Sequence, residues 1–336
     1  METGKLSPAD LERIVFPYLG VRRPEVLVRA AVGEDSAIID FGDWVCVLST
    51  DPITGATRHA GWLAVHVSCN DVASNGAEPI GVLVTILLPE SAHEEDLRGV
   101  MEDAHRAAGE LGIEVLGGHT EVTPGLVSTI ISSTAVGRAP KGRYVVSSGA
   151  KAGDYLVLTK GAALEGTAIL AADFEDRLRR LLEADILERA QSFRREISVV
   201  PEGLAAAALG ATAMHDVTEG GVLGAVHEMV SAAGLGVELQ ADDVPIREET
   251  RVLCQLFHAD PLKLISSGSL LIACPDGERM VQGLADKGIP AAVIGRVLPA
   301  GSGRWVIRQG RKSELEASYR DELWRILDTG RGSADS

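Results

Sequence analysis

The sequence predicts an α/β protein of two domains side by side, and three observations carry that prediction. At 336 residues the chain exceeds a single average domain. Short apolar, β-branched runs alternate with segments of helical period in both halves, the pattern of strands feeding helices. Hydrophobic residues make up 46% of the chain and aromatics only 4%, so the cores are to be filled by Ala, Val, Leu and Ile. The passage between domains falls at Ala139–Gly142 and Ser148–Asp154, which gives domains 1–148 and 149–336.

Taken in order, Ser7 and Pro8 open a helix as N-cap and first helical residue, and Gly20 closes it. Gly33-Glu34-Asp35-Ser36 is an acidic loop entering an apolar segment. Trp44–Thr50 is a strand expected to end at Asp51-Pro52, because proline cannot continue a central ladder. Trp62–Asn75 is a helix, Ile80–Leu88 a strand, Ala92–Leu111 a helix stopped by Gly112, and Ile113–Leu116 a short strand. Gly117–Glu121 is expected as a loop and Val127–Val136 as a strand. The second half opens with the strand Tyr155–Thr159, followed by helices within 164–173 and 176–193 and another from Pro201. Ala211–Met214 is a strand leading into His215–Gly221, and a helix runs on to Ala233. Strands follow at 236–239, 269–274, 291–297 and 304–309. A helix over 313–327 and a disordered tail from Asp328 to Ser336 complete the expectation.

The formal net charge of −16 repels a phosphate backbone, so no nucleic-acid partner is expected. A nucleotide stays open, because metal ions and backbone amides hold small phosphates whatever the global charge. No apolar run approaches the ~18 residues of a membrane span, and the N-terminus lacks a signal-peptide pattern; a cytoplasmic protein without a membrane partner is expected. Cys46, Cys69, Cys254 and Cys274 show neither C-x-x-C nor zinc-site spacing and read as buried free thiols.

Four aspartates stand in apolar surroundings: Asp35 after a glycine turn, Asp51 at a strand end, Asp71 on a helix beside Asn70, and Asp216 before a glycine pair. Any one of them also fits a cap or turn. Together they point to metal chemistry, since buried carboxylates are costly unless paired or metal-bound, and Mg²⁺ takes oxygen ligands plus a substrate phosphate. Gly117-Gly118 fits a common glycine turn as well as an amide cradle for phosphate and by itself says little, whereas Gly220-Gly221 reads equally as a phosphate cradle or close helix packing. His119 and His215 adjoin these loops as candidate bases or structural hydrogen-bond partners. Lys5, in the lead Gly4-Lys5-Leu6, is either a mobile cation for a nucleotide or a plain surface lysine. No P-loop or dinucleotide-binding glycine pattern occurs between a strand and a helix.

The ordered motifs GEDSAII, LSTDPITG, AVHVSCNDVASNGAEP, GGHTEV and HDVTEGG resemble the PurM-like (AIR synthase-related) superfamily, and over nearly the whole chain. The resemblance is nearest to the hydrogenase-maturation HypE group, through GKLSPADLERIVFPYLG and DPITG. It implies a two-domain PurM-like fold whose first-domain strands pair across a homodimer, with ATP and Mg²⁺ held in a cleft. Asp35, Asp51 and Asp71 would be the metal–nucleotide ligands, with Asn70 beside them. Gly117, Gly118, Thr120 and Glu121 would face the phosphates, with His119 where several relatives carry an acid. Asp216, Thr218, Gly220 and Gly221 would form the second-domain loop, and Asp51, Asp71, His119 and Asp216 would stand nearest the chemistry. The implied activity is ATP-dependent activation of an amide-like or carbamoyl oxygen on a small-molecule or protein-borne substrate. Cys274 is the last cysteine, so the carrier thiol that HypE proper bears at its C-terminus is not expected on this tail. A small-molecule kinase of the thiamine-monophosphate type and a nucleotide-binding partner without turnover are the alternatives.

Overall fold

The computed structural model describes residues 6–53, 59–316 and 321–332; Lys5 lies outside them. The fold is mixed α/β, with one sheet in each of two compact units. The first unit comprises Arg22–Ala30 and Asp35–Tyr144, and the second Met1–Val21, Ala31–Glu34 and Val145–Ser336. The expected N-terminal helix is a single α turn, α1 (Pro8–Asp10), continued by a π turn at Leu11–Val15 and a 3₁₀ turn at Phe16–Tyr18. None of the residues in the π and 3₁₀ turns is buried, so no packed face enforces a regular helix.

The first unit holds β1 (Val26–Val28), β2 (Ala37–Phe41), β3 (Trp44–Ile53), α2 (Ala60–Ser74), β4 (Glu78–Leu88), α3 (Glu94–Leu111), β5 (Glu114–Val122) and β6 (Ile130–Pro140). Its sheet runs β1-β2-β3-β6-β4-β5. Strand β3 passes through Pro52 to Ile53, beyond the expected stop. The reason is local: β2 pairs with β3 only as far as Leu48, so at Pro52 one edge of β3 has no ladder to break. Ile80–Leu88 is not an edge either, since β4 lies between β6 and β5. Its alternate residues Val82, Val84, Ile86 and Leu88 are buried, while Ile80 and Leu83 are exposed. Helix α2 is buried along most of its length, and Gly61 lets α3 approach so closely that a Cβ there would sit 2.2 Å from the Val100 carbonyl oxygen.

Gly117–Glu121 is not a loop. It continues β5, pairing in parallel with Leu83–Leu87. Gly118 has φ 149° and no room for a side chain, as a Cβ would meet the Val84 carbonyl oxygen at 1.8 Å. Gly118 therefore serves close strand approach, the alternative to a turn that a glycine inside a strand allows.

The second unit holds β7 (Tyr155–Thr159), α4 (Leu164–Asp173), α5 (Glu175–Leu178), α6 (Ala184–Ser192), α7 (Val200–Leu209), β8 (Ala213–Val217), α8 (Gly221–Ala232), β9 (Gly236–Gln240), α9 (Glu248–Phe257), β10 (Ser269–Cys274), α10 (Gly277–Ala285), β11 (Ala291–Leu298), β12 (Arg304–Arg308), β13 (Arg311–Glu314) and α11 (Glu322–Gly332). The sheet order is β13-β12-β9-β11-β7-β10-β8. One apolar cluster packs α8 on the sheet through Val222, Val226 and Met229, and another joins α4, α6, α9 and α11 through Leu170, Leu187, Leu253 and Leu323. The expected helix over 313–327 is corrected at its start: Arg311–Glu314 is a strand paired with β12, and the helix begins at Glu322 and extends to Gly332, into the segment expected to be disordered. Leu323 and Ile326 on one face dock it into the core. No described helix is long and apolar enough to cross a membrane.

Candidate functional site

In the first unit, three acids lie on three segments: Asp35 in the loop before β2, Asp51 on β3 and Asp71 on α2. Ser49 and Asp51 are two apart on β3 and share its face. Asp51 pairs in register with Ser133 of β6, whose hydroxyl meets Ser68 of α2 at 2.9 Å, so this is the face that α2 covers. From α2, buried Asp71 accepts a hydrogen bond from the Ser49 hydroxyl at 2.5 Å. The same hydroxyl reaches the Asp35 carbonyl oxygen at 2.9 Å, and Ser36 Oγ donates to the Asp71 carbonyl at 3.3 Å. Asn70 beside Asp71 is fully buried. Ser49 thus joins the Asp71 carboxylate to the Asp35 backbone, and Asp51 stands on the same face of β3. Ser36 and Ser49 are the residues the sequence reading passed over; the i, i+2 spacing in Ser49-Thr50-Asp51 was the signal available.

The Asp71 carboxylate and the Ser49 hydroxyl are oxygen donors, the kind a hard cation takes, and Mg²⁺ is held by one or two carboxylates together with substrate phosphates.

His119 and Glu121 fall elsewhere. They bond to each other at 3.0 Å on the exposed strand β5, and Thr123 Oγ1 donates to Glu121 at 2.9 Å. Their register beside Thr85 and Leu87 puts them on the sheet face opposite Asp51. The strand order also leaves three strand spacings, about 14 Å, between β3 and β5. Hydrogen bonding to His119 and Thr123 holds the Glu121 carboxyl below its usual range.

In the second unit, β8 ends in the loop Thr218-Glu219-Gly220. His215 and Asp216 are almost fully buried, and His215 Nε2 lies 3.1 Å from Glu228 Oε2 on α8. Gly220 and Gly221 have φ of 83° and 60°, the left-handed region that glycine enters freely. A Cβ on Gly221 would stand 2.7 Å from the carbonyl oxygens of Leu262 and Leu264, so this glycine is needed for close packing. The Gly220 amide is occupied by the chain itself: it donates to Asp321 Oδ2 at 2.7 Å. Trp324 Nε1 of α11 donates to Glu219 Oε1 at 2.8 Å. Buried Glu165, in the first turn of α4, feels the charges of both Asp321 and Glu219. Burial pushes its carboxyl up to about 7 and that of Asp321 up to about 6. Glu165, Asp321 and Trp324 were not legible as partners of this loop, because the sequence separates them from it by 50 residues or more.

The family description "AIR synthase related protein, N-terminal domain" matches residues 33–139, and its C-terminal counterpart matches residues 151–307. The carbamoyl dehydratase HypE of Azotobacter vinelandii is 32% identical over 281 residues, covering 79% of this chain and 78% of that protein. Among solved structures, hydrogenase maturation protein HypE in complex with ATP superposes with a TM-score of 0.67 at 23% identity, covering 97% of this chain and 98% of that one. AaThiL complexed with AMPPCP and TMP gives 0.71 at 22% identity, covering 84% and 89%. At these identities the two structures establish the fold.

Proposed function

Since the chain belongs to the AIR synthase-related (PurM-like) family, with a HypE carbamoyl dehydratase as a relative at 32% identity, we propose that it is an ATP- and Mg²⁺-dependent enzyme that activates an amide-like or carbamoyl oxygen by phosphorylation. The observation that carries this reading is the Ser49 hydroxyl, which bridges the Asp71 carboxylate and the Asp35 carbonyl on the β3 face that Asp51 shares. Asp35, Asp51 and Asp71 would be the residues that hold Mg²⁺ with the nucleotide phosphates, and bound there it would supply charge neutralisation for phosphoryl transfer. Asn70 and the Asp35–Ser36 turn set the carboxylates in place. In the second unit, Asp216 on β8 and Thr218 in the loop after it take part in nucleotide binding. In the reaction the acceptor oxygen attacks the γ-phosphorus and ADP leaves. The C–O bond then breaks, phosphate carries the oxygen away, and the amide nitrogen gives up its two protons.

The acceptor is carried by another molecule. Burial pushes the thiols of Cys69 and Cys254 to about 12 and that of Cys274 to about 11, and raises that of Cys46 as well, so all four are poor nucleophiles. The protein is also a homodimer. Ile80 and Leu83 of β4 with Leu116 and Val122 of β5 leave apolar side chains exposed, which a second copy would cover.

Calorimetry with ATP and Mg²⁺ tests the site. Asp51→Ala and Asp71→Ala are each expected to weaken binding by about 1–3 kcal/mol, the cost of a charge-assisted contact. Unchanged affinity in both variants removes these residues from the site. Phosphorus NMR with carbamoylated acceptors distinguishes the chemistry: release of inorganic phosphate supports the dehydratase reading, whereas a stable phosphorylated acceptor makes the enzyme a kinase.

A further inference from the structure

We propose that Asp321 and Trp324, at the start of the C-terminal helix, are positioning residues that latch the Thr218–Gly221 loop and so hold the end of β8 in its working geometry. The inference rests on the reading above only in giving that loop a role with the nucleotide.

The need for a latch follows from the topology. Strand β8 is the last in its sheet and pairs with β10 alone, so the chain leaving it is supported on one side only. Within the loop, the Gly221 amide turns back to the Thr218 carbonyl at 3.1 Å, and Ser266 N donates to the same carbonyl at 3.3 Å. These contacts leave the Gly220 amide and the Glu219 side chain to be held from outside, and α11 holds both.

Asp321 does so with one buried carboxylate shared between two helices. Oδ2 accepts from Gly220 N, the N-cap residue of α8, and Oδ1 accepts from Leu323 N in the first turn of α11 at 2.8 Å. Each helix start presents amides without a helical partner, and a carboxylate satisfies one in each. Three residues on, Trp324 ties Glu219, so consecutive loop residues are gripped from one turn of helix. The grip is anchored: Leu323 and Ile326 sit in the core with α4 and α9, Glu322 N donates to the Lys263 carbonyl, and Arg325 donates to the His258 carbonyl at 2.9 Å. A carboxylate already fills the Gly220 amide and two more acids stand close by, so the loop is shaped by this acid rather than open as a phosphate cradle.

The test uses the full chain and three variants: Asp321→Ala, Asp321→Asn and Trp324→Phe. Hydrogen exchange reads the Gly220 amide directly. Asp321→Ala is expected to speed exchange at Gly220 on the order of tenfold or more, the effect of losing a buried charge-assisted bond, with β7 and β10 amides unchanged. Asp321→Asn, which keeps one acceptor oxygen, falls between, and it serves if the alanine variant does not fold. Trp324→Phe keeps the ring but loses the donor and speeds exchange at Glu219 and Gly220 alone. ATP turnover gives the second reading: KM for Mg²⁺–ATP rises in the order Asn, Ala while the melting temperature of the first unit stays put. Unaltered Gly220 exchange in all three variants overturns the latch. Faster exchange with KM and kcat both unchanged keeps the latch and overturns instead the assignment of this loop to the nucleotide.

Discussion

Replacing Glu165 by glutamine should make the protein more stable, and increasingly so as the pH rises. Glu165 lies in the first turn of α4, where the helix dipole favours an ionised carboxylate by about 0.3–1 kcal/mol. Burial opposes this and wins: the side chain is 5% exposed, and its carboxyl moves from the ordinary 4.5 to about 7. The negative charges of Asp321 and Glu219 add to the rise, and the hydrogen bond with Ser267 reduces it. Below pH 4.5 Glu165 is neutral folded or unfolded, and its contribution to stability is fully present. Between 4.5 and about 7 the unfolded chain ionises while the folded protein keeps its proton, so that contribution drains away as pH rises, and above 7 it is gone. At about 1.36 kcal/mol for each pH unit, the interval amounts to roughly 3 kcal/mol. Glutamine has the same shape and does not ionise. Urea unfolding of the two proteins at pH 4.5, 6, 7 and 8 should therefore show their stability difference growing by about 3 kcal/mol in favour of Glu165→Gln, with most of the change complete by pH 7. A difference that stays constant across this range refutes the argument, because it means that the carboxyl ionises equally in both states.

Two further outcomes test other parts of the structure. Leu83→Glu on the exposed face of β4 should convert a dimer into a monomer in light scattering without lowering helix content, and a wild-type monomer at micromolar concentration removes the homodimer. Incubation with ATP, Mg²⁺ and carbamoyl phosphate, followed by intact-mass analysis, should leave Cys46, Cys69, Cys254 and Cys274 unmodified; an adduct on any of them restores a self-carried substrate.

Much of this protein was determined by sequence alone. The two α/β halves, the strand Ser269–Cys274 and the helix Leu164–Asp173 follow from local period and composition, because their apolar runs have only one way to reach a core. The acids Asp35, Asp51 and Asp71 stand out in the sequence as carboxylates in apolar surroundings, an obligation that packing must meet. What sequence could not decide depended on neighbours distant along the chain. Gly117-Gly118 reads as a loop until β4 is laid beside it; only then does the closeness of the Val84 carbonyl explain Gly118. Pro52 reads as a strand end until β2 is seen to stop short of it. The Gly220-Gly221 turn reads equally as phosphate cradle or packing site until Asp321, 101 residues away, is found on its amide. A backbone amide or carbonyl is the same group at every position, so nothing in local sequence marks which of them a remote side chain will claim. That choice is made by the tertiary structure, through the cost of leaving a buried polar group unsatisfied.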